Sequence, residues 1–135
     1  MFKIEEIKVL DDVKSFSIFS RTHFAIKTDN TLYGWGDNTQ GQIGDSTKVD
    51  RDSPVKIMEN VAAISAIYRL IDVNNTTWAW NRDIPTPEQE YEDIVTVYGN
   101  YLLGTNGELY QINRDGTLGA VIENVKLPSV SVANK

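Results

Sequence analysis

An all-β fold is predicted for this chain of 135 residues on three observations. A short acidic signature returns four times, a strand–turn–strand pattern returns three times in phase with it, and no segment sustains a helical apolar period. The signature is an aliphatic or aromatic residue, an acid, Asp or Asn, then Val or Ile. Its copies are Leu10-Asp11-Asp12-Val13, Met58-Glu59-Asn60-Val61, Tyr91-Glu92-Asp93-Ile94 and Ile122-Glu123-Asn124-Val125, spaced 48, 33 and 31 residues apart.

The second pattern stacks without gaps as "HFAIKTDNTLYGWGD" from His23, "YRLIDVNNTTWAWNR" from Tyr68 and "NYLLGTNGELYQINR" from Asn100. Each copy reads as an apolar strand, a two-residue turn and a second strand with large residues at alternate positions. Asp29-Asn30, Asn74-Asn75 and Asn106-Gly107 supply the turns, because Asn and Gly tolerate the positive φ of a tight hairpin. Tyr33 and Trp35, Trp78 and Trp80, and Tyr110 and Ile112 set one face against a core. "VKSFSIFS", "VAAISAIY" and "IVTVYG" complete the units as strands after the signature, while "SPVKIM" and "PEQEY" are strands before it. Four short strands per unit is the pattern of a propeller blade.

Composition narrows the function classes. With 41% hydrophobic and 24% charged residues the chain buries a core, and its length suits a single domain, 1–135. The repeats span about 11–58, 59–91 and 92–122, with a partial strand unit at each end. A net charge of −6 with scattered basic residues argues against nucleic acid and against anionic membrane surfaces as partners. The opening "MFKIEEIKVLDD" lacks the apolar run of a signal peptide, and no segment is long and apolar enough for a spanning helix, so the default compartment is the cytoplasm. Without cysteine there is no disulfide framework, zinc–thiolate site or thiol nucleophile. No cofactor is expected.

"LYGWGDNTQGQIGD", residues 32–45, carries four glycines that invite a phosphate-loop reading. A phosphate loop places its glycines between a strand and a helix, whereas Gly34 and Gly36 lie in the hairpin's second strand and no Gly-Lys-Ser/Thr follows. A calcium loop centred on Gly41 would put Gly36 at its first ligand position and has no closing glutamate. A corner-turning role remains. The ordered set His23-Phe24-Ala25-Ile26, Asp29-Asn30-x-Leu32-Tyr33-x-Trp35-Gly36-x-Asn38-x-x-Gly41-Gln42-Ile43-Gly44, Pro54-Val55-x-Ile57 and Asn60-Val61 resembles the repeat of the regulator of chromosome condensation family. The resemblance implies a blade of a seven-bladed propeller in which His23, Trp35, Gly36, Gly41, Gln42, Ile43 and Gly44 are structural. The second copy replaces the glycine turn with "NRDIPTPEQE". The third keeps "RDGTLG", with Gly116 over Gly41 and Gly119 over Gly44, and has Ile112 in place of the tryptophan. The family's founding activity, nucleotide exchange on a small nuclear GTPase, is not carried over by these residues.

His23 is the only histidine, which rules out a catalytic triad or a two-histidine metal site within one chain. It fills a repeating slot shared with Tyr68 and Asn100, so a structural hydrogen-bonding role is expected. Glu88, Glu90 and Glu92, with Asp93, would line one face of a strand, as a solvated edge that discourages foreign pairing. Pro85 and Pro87 serve the same end. The rival reading is a sugar site using Trp78, Trp80 and these acids, which requires accessible rings. The stretch Asp45 to Ser53 reads as the longest loop, with Lys48, Asp50, Arg51 and Asp52 as candidate partner contacts.

Counting an opening strand "IEEIKVL" and a closing strand "VKLPSVSVA" gives fourteen strands, or three and a half blades. A partial propeller leaves blade faces open, so self-association as a dimer or a missing remainder of chain is expected. The expected function is a non-enzymatic scaffold that binds a protein partner through its rim loops. A fragment of a larger propeller whose activity lies elsewhere, or a carbohydrate-binding or glycoside-cleaving propeller, are the alternatives.

Overall fold

The computed structural model describes residues 8–66 and 68–122. These form twelve strands in three four-stranded antiparallel sheets, each in sequence order across the sheet. Blade 1 comprises β1 (Val13–Phe19), β2 (Thr22–Lys27), β3 (Leu32–Gly36) and β4 (Arg51–Met58). Blade 2 comprises β5 (Val61–Ala66), β6 (Arg69–Asp72), β7 (Thr77–Ala79) and β8 (Glu88–Gln89). Blade 3 comprises β9 (Ile94–Tyr98), β10 (Tyr101–Gly104), β11 (Leu109–Ile112) and β12 (Leu118–Ile122). Among the described residues there is no helix, and therefore none long and apolar enough to cross a membrane, which says nothing of membrane β-barrels.

The acidic signature has a backbone cause. Its third residue is left-handed in each described copy, with φ of 57° at Asp12, 60° at Asn60 and 58° at Asp93. Asn and Asp are the non-glycine residues that adopt this conformation at least cost. The turn aims each carbonyl at the hairpin of the next pair of strands. Asp12 O accepts from Thr28 N–H at 2.8 Å, Asn60 O from Val73 N–H at 2.9 Å, and Asp93 O from Thr105 N–H at 2.8 Å. A second set joins successive blades, with Val61 N–H donating to Asn30 O and Ile94 N–H to Asn75 O, both at 2.8 Å. The fourth copy of the signature, apart from Ile122, lies outside the described residues.

The hairpins are one residue longer than the expected two-residue turns. Ile26 pairs with Leu32, Lys27 N–H donates to Thr31 O and Asn30 N–H donates to Lys27 O, so residues 28–30 form the loop. Asp72–Thr76 and Gly104–Glu108 repeat the same bonds. In each, only the last loop residue is left-handed: Asn30 at 67°, Asn75 at 64° and Gly107 at 84°. This is the three-residue hairpin in which a left-handed residue follows a tight turn. The expected two-residue corner leaves out the first loop residue, Thr28, and Asp29 caps the loop by accepting from Thr31 N–H at 3.0 Å.

Apolar cores lie between blades rather than within one. Phe24, Ile26 and Leu32 of blade 1 pack with Val61, Leu70 and Trp80 of blade 2. Ile71 of blade 2 packs with Ile94, Val97 and Leu102 of blade 3. Each such side chain contributes about 1.5–3 kcal/mol when fully buried, so a blade is held mainly by its neighbours. Of the two expected end strands, "VKLPSVSVA" and the first part of "IEEIKVL" lie outside the described residues, and residues 8–10 are not strand.

Candidate functional site

The connection from β3 to β4 is the longest in the described chain, and a buried amide organises it. Asn38 is 0% exposed. Its Oδ1 accepts from Ile43 N–H at 2.9 Å, and its Nδ2 lies 3.0 Å from Thr47 O, 3.0 Å from Val49 O and 3.1 Å from Asp45 Oδ1. Its own N–H donates to Asp50 Oδ1 at 2.8 Å. One side chain thus ties both limbs of the loop together, and burying it is tolerable only because its polar atoms are all partnered.

Asp45 forms the second brace. It accepts from Arg51 Nε at 2.7 Å and from Thr47 N–H at 3.0 Å, and its side chain is 6% exposed. Burial pushes its carboxyl up, but the hydrogen bonds from Thr47, Arg51 and Asn38 outweigh this and hold it below the usual carboxylate range. A group depressed in this way stabilises the fold above its unfolded pKa and loses that contribution as pH falls through the folded value. The loop is therefore expected to stay braced at neutral pH and to loosen only below the ordinary carboxylate range. Following the Asn38 side-chain amide by NMR against pH checks this; in Asp45→Asn the acid transition should vanish.

The four candidate partner contacts separate on this geometry. Arg51 and Asp52 begin β4 rather than sitting in the loop. Arg51 is spent on Asp45, and Asp50 receives Asn38 N–H, so neither is a free loop charge. The pairing of Gly36 with Arg51 across β3 and β4 extends the strand into the predicted loop. Lys48 and Asp52 remain exposed, and between them Val49 is 59% exposed. Sequence reasoning passed over Val49, and it named Asn38 only as part of the repeat.

The glycine turn docks on blade 2. Gly41 has φ of +73°, and a Cβ there would lie 2.8 Å from Pro85 Cβ. At Gly44, φ is +81° and a Cβ would meet the Trp80 ring at 3.1 Å. Both positions combine a left-handed backbone with a close approach, which glycine alone accommodates. Ile43 is fully buried, and Gln42 O accepts from Trp80 Nε1 at 3.0 Å. Tyr68 OH donates to Gln40 O at 3.1 Å, and Ser46 N–H to Pro85 O at 2.8 Å. In blade 3 the matching connection is a short hairpin instead. Gly116 is left-handed at 84°, but Gly119 lies in β12, so the placing of Gly119 over Gly44 does not extend to their backbones.

His23 pairs across β2 and β3 with Trp35, and their rings stack at 5.5 Å with planes 10° apart. Its Nδ1 is buried without a hydrogen-bond partner. Gly36 ends β3 at φ +97°, where a Cβ would lie 2.2 Å from Arg21 O.

The acidic stretch is not a uniform solvated edge. Only Glu88 and Gln89 form strand, so residues 88, 90 and 92 do not share one strand face. Glu90 turns inward and grips Arg69 with both oxygens, at 2.9 Å from Nε and 2.8 Å from Nη2. Planar guanidinium and carboxylate groups match in this fork, so the pair fixes the β6 side of the blade. Trp80 is 4% exposed and Trp78 Nε1 is committed to Asp72 Oδ2 at 2.9 Å. Stacking on a sugar needs an open ring, and Trp80 does not present one. Among the described residues no group of three His, Asp or Glu side chains could hold a metal ion.

Comparisons with known proteins agree with this architecture. The family model described as the Regulator of chromosome condensation (RCC1) repeat matches residues 29–67, which hold the turn at Asn30, the glycine corner and the second signature. Residues 29–67 thus form an RCC1-type repeat. The Ultraviolet-B receptor UVR8 of Arabidopsis thaliana is 33% identical over 69 residues, covering 46% of this chain and 16% of the receptor. Human WBSCR16 superposes on 96% of this chain and 38% of its own, with a TM-score of 0.66 at 14% identity. Prp20p of Saccharomyces cerevisiae, described with its binding properties to Gsp1p and histones, covers 73% of this chain and 32% of its own, with a TM-score of 0.57 at 16% identity. The two structures share the propeller fold with this chain, which spans well under half the length of each relative.

Proposed function

We propose that this RCC1-type chain is a protein-binding scaffold, without catalysis of its own, that meets its partner through the β3–β4 loop. The observation that supports this reading is the bracing of that loop. Asn38 and Asp45 hold the backbone from inside while Lys48, Val49 and Asp52 project outward. A loop already held in one shape loses little conformational entropy on binding, and an apolar side chain flanked by charges suits a protein surface. Prp20p, a relative in fold, has binding properties to Gsp1p and histones, which is in keeping with a protein partner here.

The test compares proteins retained from cell extract by the wild-type chain with those retained by a Lys48→Ala, Val49→Ala, Asp52→Ala variant. Unfolding curves of the two should coincide, since none of the three side chains is buried. A partner held by the wild type and lost by the variant supports the loop. Identical retained sets overturn it.

A second reading is favoured by the share of chain covered: the three blades span 38% of WBSCR16 while 96% of this chain is matched. Under that reading the chain acts as one segment of a larger propeller, and the open front of blade 1 is where the ring continues.

A further inference from the structure

Blades 1 and 2 carry the same receptor, but among the described residues only that of blade 2 is filled. In blade 2, Tyr68 and Trp80 pair across β6 and β7, with Trp80 N–H donating to Tyr68 O at 3.0 Å. Their two polar atoms, Tyr68 OH and Trp80 Nε1, donate to Gln40 O and Gln42 O of the glycine turn. Carbonyls two residues apart, with Gly41 between them and Gly44 following, are thus what this face reads. In blade 1, His23 and Trp35 hold the equivalent cross-strand places. Around them is a cavity of ≈ 320 Å³, lined by apolar side chains including Val13, Phe16, Ile18 and Ala25. Phe16 is 72% exposed and Ile18 56%.

The donors are in place as well. His23 Nδ1 is buried against Gly36, whose Cβ position lies 2.9 Å from it, and it has no acceptor there. With Nδ1 buried, Nε2 is the ring nitrogen left to meet a ligand, in the place that the Tyr68 hydroxyl takes in blade 2. Among the described residues, Trp35 Nε1 has no hydrogen-bond acceptor, whereas Trp80 Nε1 and Trp78 Nε1 each have one.

We propose that the His23–Trp35 face of blade 1 is a docking site for a glycine-cornered turn of an RCC1-type blade belonging to a partner protein. That turn would present two backbone carbonyls two residues apart to His23 Nε2 and Trp35 Nε1, and would cover Phe16 and Ile18. A second copy of this chain is the poorer occupant. Its Gly41–Gly44 turn is spent on its own Trp80, and its blade 3 connection is a short hairpin tied back through Tyr91 OH to Gly116 O at 2.7 Å. This face is distinct from the Lys48–Asp52 rim, so its test stands apart from that of the proposed function.

The probe is a head-to-tail cyclised peptide with the sequence of residues 36–51, closed across the Gly36–Arg51 pair that already brings those ends together. It is titrated into the isotope-labelled full chain, and the Trp35 indole N–H is followed by NMR. A saturable shift at Trp35, with companions at Phe16, Ile18 and Ala25, is expected. Phe16→Asp should weaken binding roughly tenfold, as loss of an exposed apolar anchor does. His23→Phe keeps the stacked ring and removes the orphaned nitrogen, so thermal stability should hold while binding falls about threefold to tenfold, the range for one hydrogen bond. No shift at Trp35 up to millimolar peptide (on the order of the weakest specific contacts), or a shift at Trp80 in its place, overturns the proposal. A Trp35 signal that moves with protein concentration before any peptide is added also overturns it, by giving the face to a second copy.

Discussion

Trp80→Ala should lower stability by about 3–5 kcal/mol, the usual cost of truncating a buried tryptophan. The same change at Trp35, in the same repeat slot, should cost clearly less, because that ring is only half-buried and no glycine turn among the described residues lies over it. Trp80 meets Phe24 edge-on at 6.4 Å and Tyr68 at 6.2 Å, and it lies beneath Gly44. Its loss therefore opens a cavity between two blades and frees the glycine turn of the first. Urea unfolding measures the first effect, and hydrogen exchange at the Ile43 and Gly44 amides measures the second. Trp80→Phe separates the causes: most of the apolar surface stays, and what is lost is the bond to Gln42 O, about 1–3 kcal/mol if that carbonyl is left buried and unpaired. Equal costs for Trp80→Ala and Trp35→Ala would contradict the docking of the turn on blade 2.

Asn38→Ala is the second large effect, about 2–4 kcal/mol, because it strands several buried groups at once. Ile43 N–H loses its acceptor, and the carbonyls of Thr47 and Val49 lose their donor. Asn38→Asp keeps the acceptor for Ile43 but brings a second carboxylate against Asp45, so it should rescue little at neutral pH. Thermal unfolding ranks the variants, and a wild-type melting curve for Asn38→Ala would show that the loop does not depend on the buried amide. The same variant should weaken any partner that the loop holds, since Lys48 and Val49 lose their fixed placement.

Local backbone requirements were the most legible part of the chain. Asp12, Asn60 and Asp93 recur because a left-handed corner must precede each blade, and short polar side chains adopt it cheaply. Asn30, Asn75 and Gly107 recur for the same reason at the hairpins. A further signal was present and went unread: Asp-x-Thr occurs at 29–31, 37–39, 45–47 and 115–117, and in each the Asp carboxylate accepts from the Thr N–H. That pattern marks tight polar turns. It would have shown that residues 45–51 are a folded corner rather than an open loop.

Side-chain partners were not legible, because they depend on which residues strand register and packing bring together. Glu90 reads as one of a row of surface acids until Arg69, on another strand of its sheet, meets it. Arg51 reads as a free cation until the β3–β4 register sets it beside Asp45.

The sequence by itself determined the repeat, the all-β class and the places where the backbone must turn, since these follow from periodicity and from what Asn, Asp and Gly allow locally. Only the tertiary structure decided that Trp80 is capped and Trp35 is open. The two occupy one slot in the repeat, and their difference is set by whether, among the described residues, a glycine turn lies over them.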